Sequence, residues 1–234
     1  MMGEGMILEF YGLPGTGKTT LTKALIESDE TLFRPKIRGR NFRRTVFYKY
    51  FFSLKTYTLA ALLLKIHWKK KSRADDFRHI KIILRMFMIY AEEAKLHSEE
   101  IYCFDNGLIQ SLLSFIWEEP EMDADILKVV GFLEQALPES LLFVYAENDN
   151  PDEIVRRMVQ RGEDRRILHY EASRCRKLLA LQKHYFDAIH ASLSESNSLK
   201  ISTNDPNAVS VSAIREWVDR RNSLKNGRNQ SERC

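Results

Sequence analysis

Short apolar runs alternate along this chain with longer stretches in which apolar residues recur every three or four positions. Ile7–Tyr11 is apolar, partly aromatic and ends at Gly12, which predicts a buried strand. Glu100–Asp105 and Leu141–Ala146 predict two strong strands, Leu199–Thr203 a shorter one and Thr31–Ile37 a weak second strand. Between them, Leu21, Ala24 and Leu25 share one helical face within Lys18–Glu27. Asn41–Lys71 reads as mostly helical with few clean caps, and Asp75 or Asp76 caps a long helix to about His97. Further helical patterns cover Asp123–Ala136 and Leu168–Ala191, while Pro151 and Pro206 each mark a helix start. Strands alternating with helices predict an α/β fold with a parallel sheet covered on both faces.

The turn after the first strand carries chemistry. Gly12-Leu13-Pro14-Gly15-Thr16-Gly17-Lys18-Thr19 matches G-x-x-x-x-G-K-[ST] in full, between a predicted strand and a predicted helix. Glycines let the backbone wrap so that successive N–H groups point at phosphate oxygens, and the following helix aims its positive end at the same anion. Gly12, Pro14, Gly15, Thr16, Gly17, Lys18, Thr19 and Thr20 are therefore the expected nucleotide-binding residues. Lys18 reaches the β and γ phosphates and Thr19 places its hydroxyl on Mg²⁺, so ATP and Mg²⁺ are the implied cofactors.

Two further features point to the same edge of the sheet. Asp105 ends the strand Ile101-Tyr102-Cys103-Phe104, at the carboxyl edge where ligands bind in open α/β sheets. It can serve Mg²⁺ or take a proton from an acceptor, or it can instead cap the helix that follows Asn106. Arg156, Arg157, Arg161, Arg165 and Arg166 crowd into RRMVQRGEDRR, with Gly162 breaking the helix. Residues 156–167 then form an arginine-bearing lid over transferring phosphates, or a solvated basic face paired with Glu153, Glu163 and Asp164. The loop Thr203-Asn204-Asp205-Pro206 after the last strand is the positional candidate for the base contact.

Composition adds one asymmetry to this picture. The net charge is only +4, yet Thr31 to Ala74 holds 13 Lys or Arg and no acid. Nine of the chain's 25 aromatics lie in the same stretch. Basic residues interleaved with aromatics suit a polyanionic acceptor, an anionic membrane surface or nucleic acid; alternatively the aromatics of a helical insertion pack inward. Three unpatterned cysteines predict neither a disulfide framework nor a zinc site. Met1 to Glu4 lacks the basic stretch and apolar core of a signal peptide, which predicts a cytoplasmic protein. One domain over 1–221 is expected, with 31–74 as an insertion and a polar, disordered tail at 222–234.

With the phosphate loop near the start, the strand-end Asp and the RRMVQRG…DRR run, the chain resembles the P-loop nucleoside-monophosphate kinase superfamily, most of all its thymidylate kinase branch. The resemblance implies a three-layer P-loop NTPase fold with a five-stranded parallel sheet and Mg²⁺-dependent phosphoryl transfer from ATP. It also implies an acceptor-gripping arginine about 20 residues before the strand-end Asp, the position of Arg85. Arg85 interrupts Ile82-Ile83-Leu84 and Met86-Phe87-Met88, where a charge needs a partner or must reach the helix edge. Arg38, in the turn after the second strand, is the second acceptor candidate. Asn106 stands where the family has arginine, and Arg34-Pro35-Lys36-Ile37-Arg38-Gly39 where it has a glycine-rich turn.

The expected function is an ATP-dependent kinase acting on a small anionic acceptor, either a nucleotide or a phosphorylated sugar or glycolipid precursor. Lys18, Asp105, Arg157, Arg161, Arg165 and Arg166 are its catalytic candidates, and Thr19 and Asp105 its metal ligands. The alternative is a P-loop ATPase or switch that binds nucleic acid or another polyanion through the basic block. Homodimer formation is left open.

Overall fold

The computed structural model describes residues 6–35, 46, 49–50, 53–70, 76–93, 100–117, 119–137, 140–160 and 170–231. The first half of the chain gives β1 (Met6–Tyr11), α1 (Lys18–Ser28), β2 (Phe33–Pro35), α2 (Leu54–Lys69), α3 (Asp76–Glu93), β3 (Ile101–Phe104) and α4 (Leu108–Phe115). The second half gives α5 (Asp123–Ala136), β4 (Leu141–Glu147), α6 (Pro151–Gln160), α7 (Ala172–Ser192), β5 (Ser198–Ser202) and α8 (Asn207–Ser231). The strands form one sheet in the order β2-β3-β1-β4-β5, and every neighbouring pair is parallel.

Alternation along β1 sorts the core into two layers, because successive side chains of a strand point to opposite faces. Leu8 and Phe10 join Leu21 and Leu25 of α1 and Ile214, Trp217 and Val218 of α8. Ile7 and Tyr11 join the other layer, built on α2 to α7. There Tyr11 stacks on Tyr145 at 5.2 Å, and Phe186 of α7 lies 6.0 Å from Tyr145. Each fully buried Leu, Ile or Phe contributes roughly 1.5–3 kcal/mol. Both faces of the central strand are therefore sealed, as its run of apolar residues, interrupted only by Glu9, predicts.

Helix α2 is fastened by charge as well as by apolar contact. Leu59, Leu63 and Ile66 are buried, and beside them Asp76 is wholly enclosed at the start of α3. Its carboxylate accepts from Lys70 Nζ at 2.5 Å and meets His67 Nδ1 at 2.7 Å. Lys70 also donates to the Phe115 carbonyl of α4 and lies 4.4 Å from that residue's ring centre. One buried carboxylate thus ties α2, α3 and α4 together.

Several expectations change here. β2 is described only over Phe33–Pro35, and α3 ends at Glu93 with residues 94–99 outside the described set. The helix expected from Leu168 begins at Ala172, with Glu171 at its N-cap position, and residues 161–169 lie outside the described set. α8 continues to Ser231, so the tail expected to be disordered from Asn222 is helical through that residue. Packing at Val211, Ile214 and Val218 nucleates the helix, and propagation then adds one hydrogen bond per residue fixed. In the basic block, Phe33 and Tyr50 pack inward whereas Tyr57 and Trp68 are exposed. Phe42, Phe47, Tyr48, Phe51 and Phe52 lie outside the described residues. Among the described residues, no helix is long and apolar enough to cross a membrane.

Removing the Asp76 carboxylate strands the Lys70 ammonium in the interior. Asp76→Ala is expected to destabilise the protein by about 3–5 kcal/mol, measured as a lowered midpoint in urea unfolding.

Candidate active site

The phosphate loop leaves the carboxyl end of the central strand and opens directly into α1. Gly12, Gly15 and Gly17 carry φ of 142°, 83° and 94°, a region that side chains with a Cβ rarely enter. Gly17 occupies the N-cap position and no side chain caps α1 there, so the helix presents its first amides to the loop. Thr16 stiffens the turn by donating from Oγ1 to the Leu13 carbonyl at 2.9 Å. Lys18 Nζ donates to the carbonyls of Gly12 and Leu13, both at 2.8 Å, so the ammonium is folded against the loop. Pro14 is buried within the loop, and Thr20 is exposed on the first turn of α1.

Thr19 and Asp105 lie 86 positions apart in sequence and touch: Thr19 Oγ1 donates to Asp105 Oδ2 at 3.0 Å. The pair brings together a hydroxyl and a carboxylate oxygen, a hard-donor set that suits Mg²⁺. Among the described residues, no group of three or more His, Cys, Asp or Glu could hold a metal. A Mg²⁺ ion held here would complete its shell with phosphate oxygens and water. The N-cap position of α4 falls on Gly107 and not on Asp105, whose Oδ2 is turned to Thr19.

The group that meets α4 is Glu9, from the middle of β1. Glu9 Oε1 accepts from the Ile109 amide at 2.7 Å, across 100 residues of sequence. The Tyr90 hydroxyl of α3 adjoins the same carboxyl above Gly107. A Cβ at Gly107 would lie 2.2 Å from Glu9 Cδ and 2.3 Å from that hydroxyl, so only glycine fits. β3 pairs with β1 in the register Glu9↔Phe104, which sets Asp105 one residue beyond. Complete burial pushes the Glu9 carboxyl up to about 7, against the opposing pull of the Ile109 and Leu108 amides. Glu9, Tyr90 and Gly107 were not among the sequence candidates; the one available signal was an acid inside an otherwise apolar strand.

On the other side of the loop, α6 begins with the Asn150 side chain accepting from the Asp152 and Glu153 amides, both at 3.1 Å. Glu153 then takes Arg156 Nε at 2.6 Å and Arg157 Nε at 2.7 Å. Its carboxyl is held down to about 2, first by the Arg156 bond and then by that of Arg157. The two arginines diverge. Arg156 is exposed, while the Arg157 Nη1 atom comes within 3.7 Å of a Cβ built on Gly17. Pairing with Glu153 and approach to the phosphate loop therefore coexist in Arg157.

A cleft of about 460 Å³ opens beside this arrangement, between Thr16, Gly17 and Thr20 on one wall and Thr203, Asn204 and Pro206 on the other, with Arg157 at its edge. Thr203 fixes the second wall by donating both its amide and its hydroxyl to the Glu147 carbonyl, at 2.8 and 2.9 Å. The loop after β5 thus faces the phosphate loop across the cleft.

Arg85 reaches the helix edge, one of the two positions expected for it. It is exposed on α3, in step with exposed Arg78 and Lys81, so the helical period turns its charge outward and no buried partner is needed. Arg38, Arg161, Arg165 and Arg166 lie outside the described residues.

A glycine-rich loop on the central strand of a parallel sheet, with a strand-end carboxylate on its threonine hydroxyl, defines an α/β fold that resembles those of kinases. No protein-family model matches the chain, and no curated protein matches it. Among solved structures, it is similar to deoxyadenosine kinase from M. mycoides with the products dCMP and dCDP bound, at 11% identity and a TM-score of 0.52. That alignment covers 92% of this chain and 99% of the other. The same enzyme with bound dATP aligns over the same shares at 12% identity and a TM-score of 0.51. Shikimate kinase from Acinetobacter baumannii in complex with shikimate gives 16% identity over 91% of this chain and 92% of the other, with a TM-score of 0.47. At such identities the likeness establishes the architecture, and the chemistry must be argued from the residues.

Glu9 titrates near 4.5 in the unfolded chain and near 7 in the fold, so between those values the folded state binds the extra proton. Stability is accordingly expected to fall as pH rises through that window, by about 3 kcal/mol in all. Thermal melts from pH 5 to 8 should show this slope in the native chain and a flatter profile in Glu9→Gln. Gly107→Ala is expected to cost about 1–3 kcal/mol through overpacking against Glu9 and Tyr90, read from the same melts.

Proposed function

We propose that this protein is an ATP-dependent kinase that transfers the γ-phosphoryl group to a small anionic acceptor, in the manner of the thymidylate kinase branch. The observation that carries the reading is the 3.0 Å bond between Thr19 and Asp105, which joins the phosphate loop to the carboxyl end of the neighbouring strand. The cleft walled by Thr203, Asn204 and Pro206 supports a nucleoside at one end of that pair. The helical half of the molecule, with its surplus of positive charge, supports an anion at the other.

The roles follow from position. The loop amides and the first turn of α1 bind the phosphates, and Lys18 exchanges its loop carbonyls for β and γ oxygens. Mg²⁺, held by Thr19 and Asp105, supplies neutralisation of charge on the transferring group. The acceptor oxygen forms a bond to the γ phosphorus as the bond to the bridging β–γ oxygen breaks, and ADP leaves with that oxygen's charge. Asp105 takes the proton where the acceptor is a hydroxyl; an ionised phosphate acceptor has none to give. Arg157 lies beside the loop to stabilise the transferring group, and Arg161, Arg165 and Arg166 extend its charge along the chain. Arg85 and Arg38 offer the acceptor's anion its cationic partners, with Arg85 free to swing from an exposed helical position.

Incubation with ATP and Mg²⁺ and a pool of nucleoside monophosphates, nucleosides, sugars and sugar phosphates, followed by mass spectrometry, tests the reading. One pool member is expected to gain a phosphoryl group. Lys18→Ala and Asp105→Asn should each lower kcat/KM roughly 100-fold or more. ADP formation with no phosphorylated product, stimulated by RNA or DNA, would replace the kinase with a nucleic-acid-dependent ATPase.

A further inference from the structure

Helix α2 is apolar on two opposite sides. One side, with Leu59, Leu63 and Ile66, is packed into the core. On the other, Leu54, Tyr57, Ala61, Leu64 and Trp68 follow one another at intervals of three and four, so they stand in a single row. Leu54 is 80% exposed, Tyr57 48%, Leu64 37% and Trp68 68%. The row is about 20 Å long at the rise of an α-helix. Phe77 of α3, 67% exposed, extends it, since its ring and that of Trp68 both lie against His67, at 4.9 and 5.6 Å. Single exposed apolar residues are ordinary, but a continuous ridge of Leu, Tyr, Trp and Phe marks an interaction surface.

The exposed charges that α2 and α3 set beside the ridge are of one sign, and the α5 carboxylate that reaches α2, Asp125, is buried and paired with Lys69 at 2.5 Å. Lys55 and Lys65 are exposed on α2, and Arg78 and Lys81 on the adjoining face of α3. Among the described residues from 54 to 90, the only acid is Asp76, which is buried and neutralised by Lys70. A second copy of the chain would bring this positive surface against itself. An anionic lipid surface instead complements every feature: Trp and Tyr seat at the headgroup level, Leu and Phe reach the acyl boundary, and Lys and Arg meet the lipid phosphates.

We propose that the outer face of α2, with Phe77 and the basic face of α3, binds the surface of an anionic bilayer. The helix lies along the membrane plane without crossing it. This inference rests on the exposed ridge and its charges and does not depend on the kinase reading. It gives the basic, aromatic block a role separate from the phosphate loop.

Flotation of the full chain with vesicles of phosphatidylcholine alone and of phosphatidylcholine mixed with phosphatidylglycerol tests it. The protein should float with the mixed vesicles, remain below with the neutral ones and be released by added salt. Trp68→Ser combined with Leu64→Ser should weaken partition roughly tenfold or more, and Lys65→Glu or Lys81→Glu about fivefold for each charge. Melting temperatures near that of the native chain keep these losses from being folding defects, because all four side chains are partly or largely solvent-exposed. No flotation with anionic vesicles, or equal flotation of the Trp68→Ser, Leu64→Ser chain, overturns the proposal. A dimer in sedimentation that Trp68→Ser dissolves, with no vesicle binding, reassigns the ridge to a second copy. Retention on an acidic peptide without vesicle binding reassigns it to a protein partner.

Discussion

The carboxyl group of Glu9, closed off in the middle of the central strand, positions the rest of the site. Its bond to the Ile109 amide fixes the first turn of α4 against β1. The pairing of β1 with β3 then leaves Asp105 no latitude beyond the strand end. Thr19 meets it from the phosphate loop, which grows out of the same strand two positions after Glu9's neighbour Phe10. A charged group in such a place is costly, and its raised proton affinity is the visible sign of that cost. The protein tolerates it because backbone amides at the start of a helix are among the few donors that can reach so deep.

Around that fixed centre the cationic groups differ in how firmly they are held. Lys18 is nearly enclosed and bound to two loop carbonyls, so it is in place before any ligand arrives. Arg157 is half-buried and tethered at one nitrogen by Glu153, leaving its remaining donors available toward Gly17. Arg85 is exposed and bound to nothing among the described residues. Ordering among these three cations therefore falls from the loop outward.

What could be read from the chain depended on sequence distance. The phosphate loop is eight consecutive residues, and its chemistry follows from their order. That Asp105 would lie beside the phosphate loop was legible because it ends the strand next to the one the loop leaves, and the place of the loop after β5 by the same rule. Glu9 was not, because its partner is 100 positions away and nothing local distinguishes a clamped acid from a misplaced one. Arg85 left two positions open in sequence, a buried partner or the helix edge, and the period of α3 decides between them by turning the guanidinium outward while Ile83, Phe87 and Met88 stay buried. The polar tail misled for the opposite reason: composition reports whether a segment can build a core, not whether it can prolong a helix already built.

With β1 in the centre of the sheet, the segment from β2 to α4 lies on one flank and the segment from β4 to β5 on the other. β1, with the loop that follows it, pairs with both. Such a layout divides the molecule about one strand. A change confined to the flank that bears α2 and α3 leaves the loop after β1 in the same frame, because that loop grows out of the strand on which the two flanks meet.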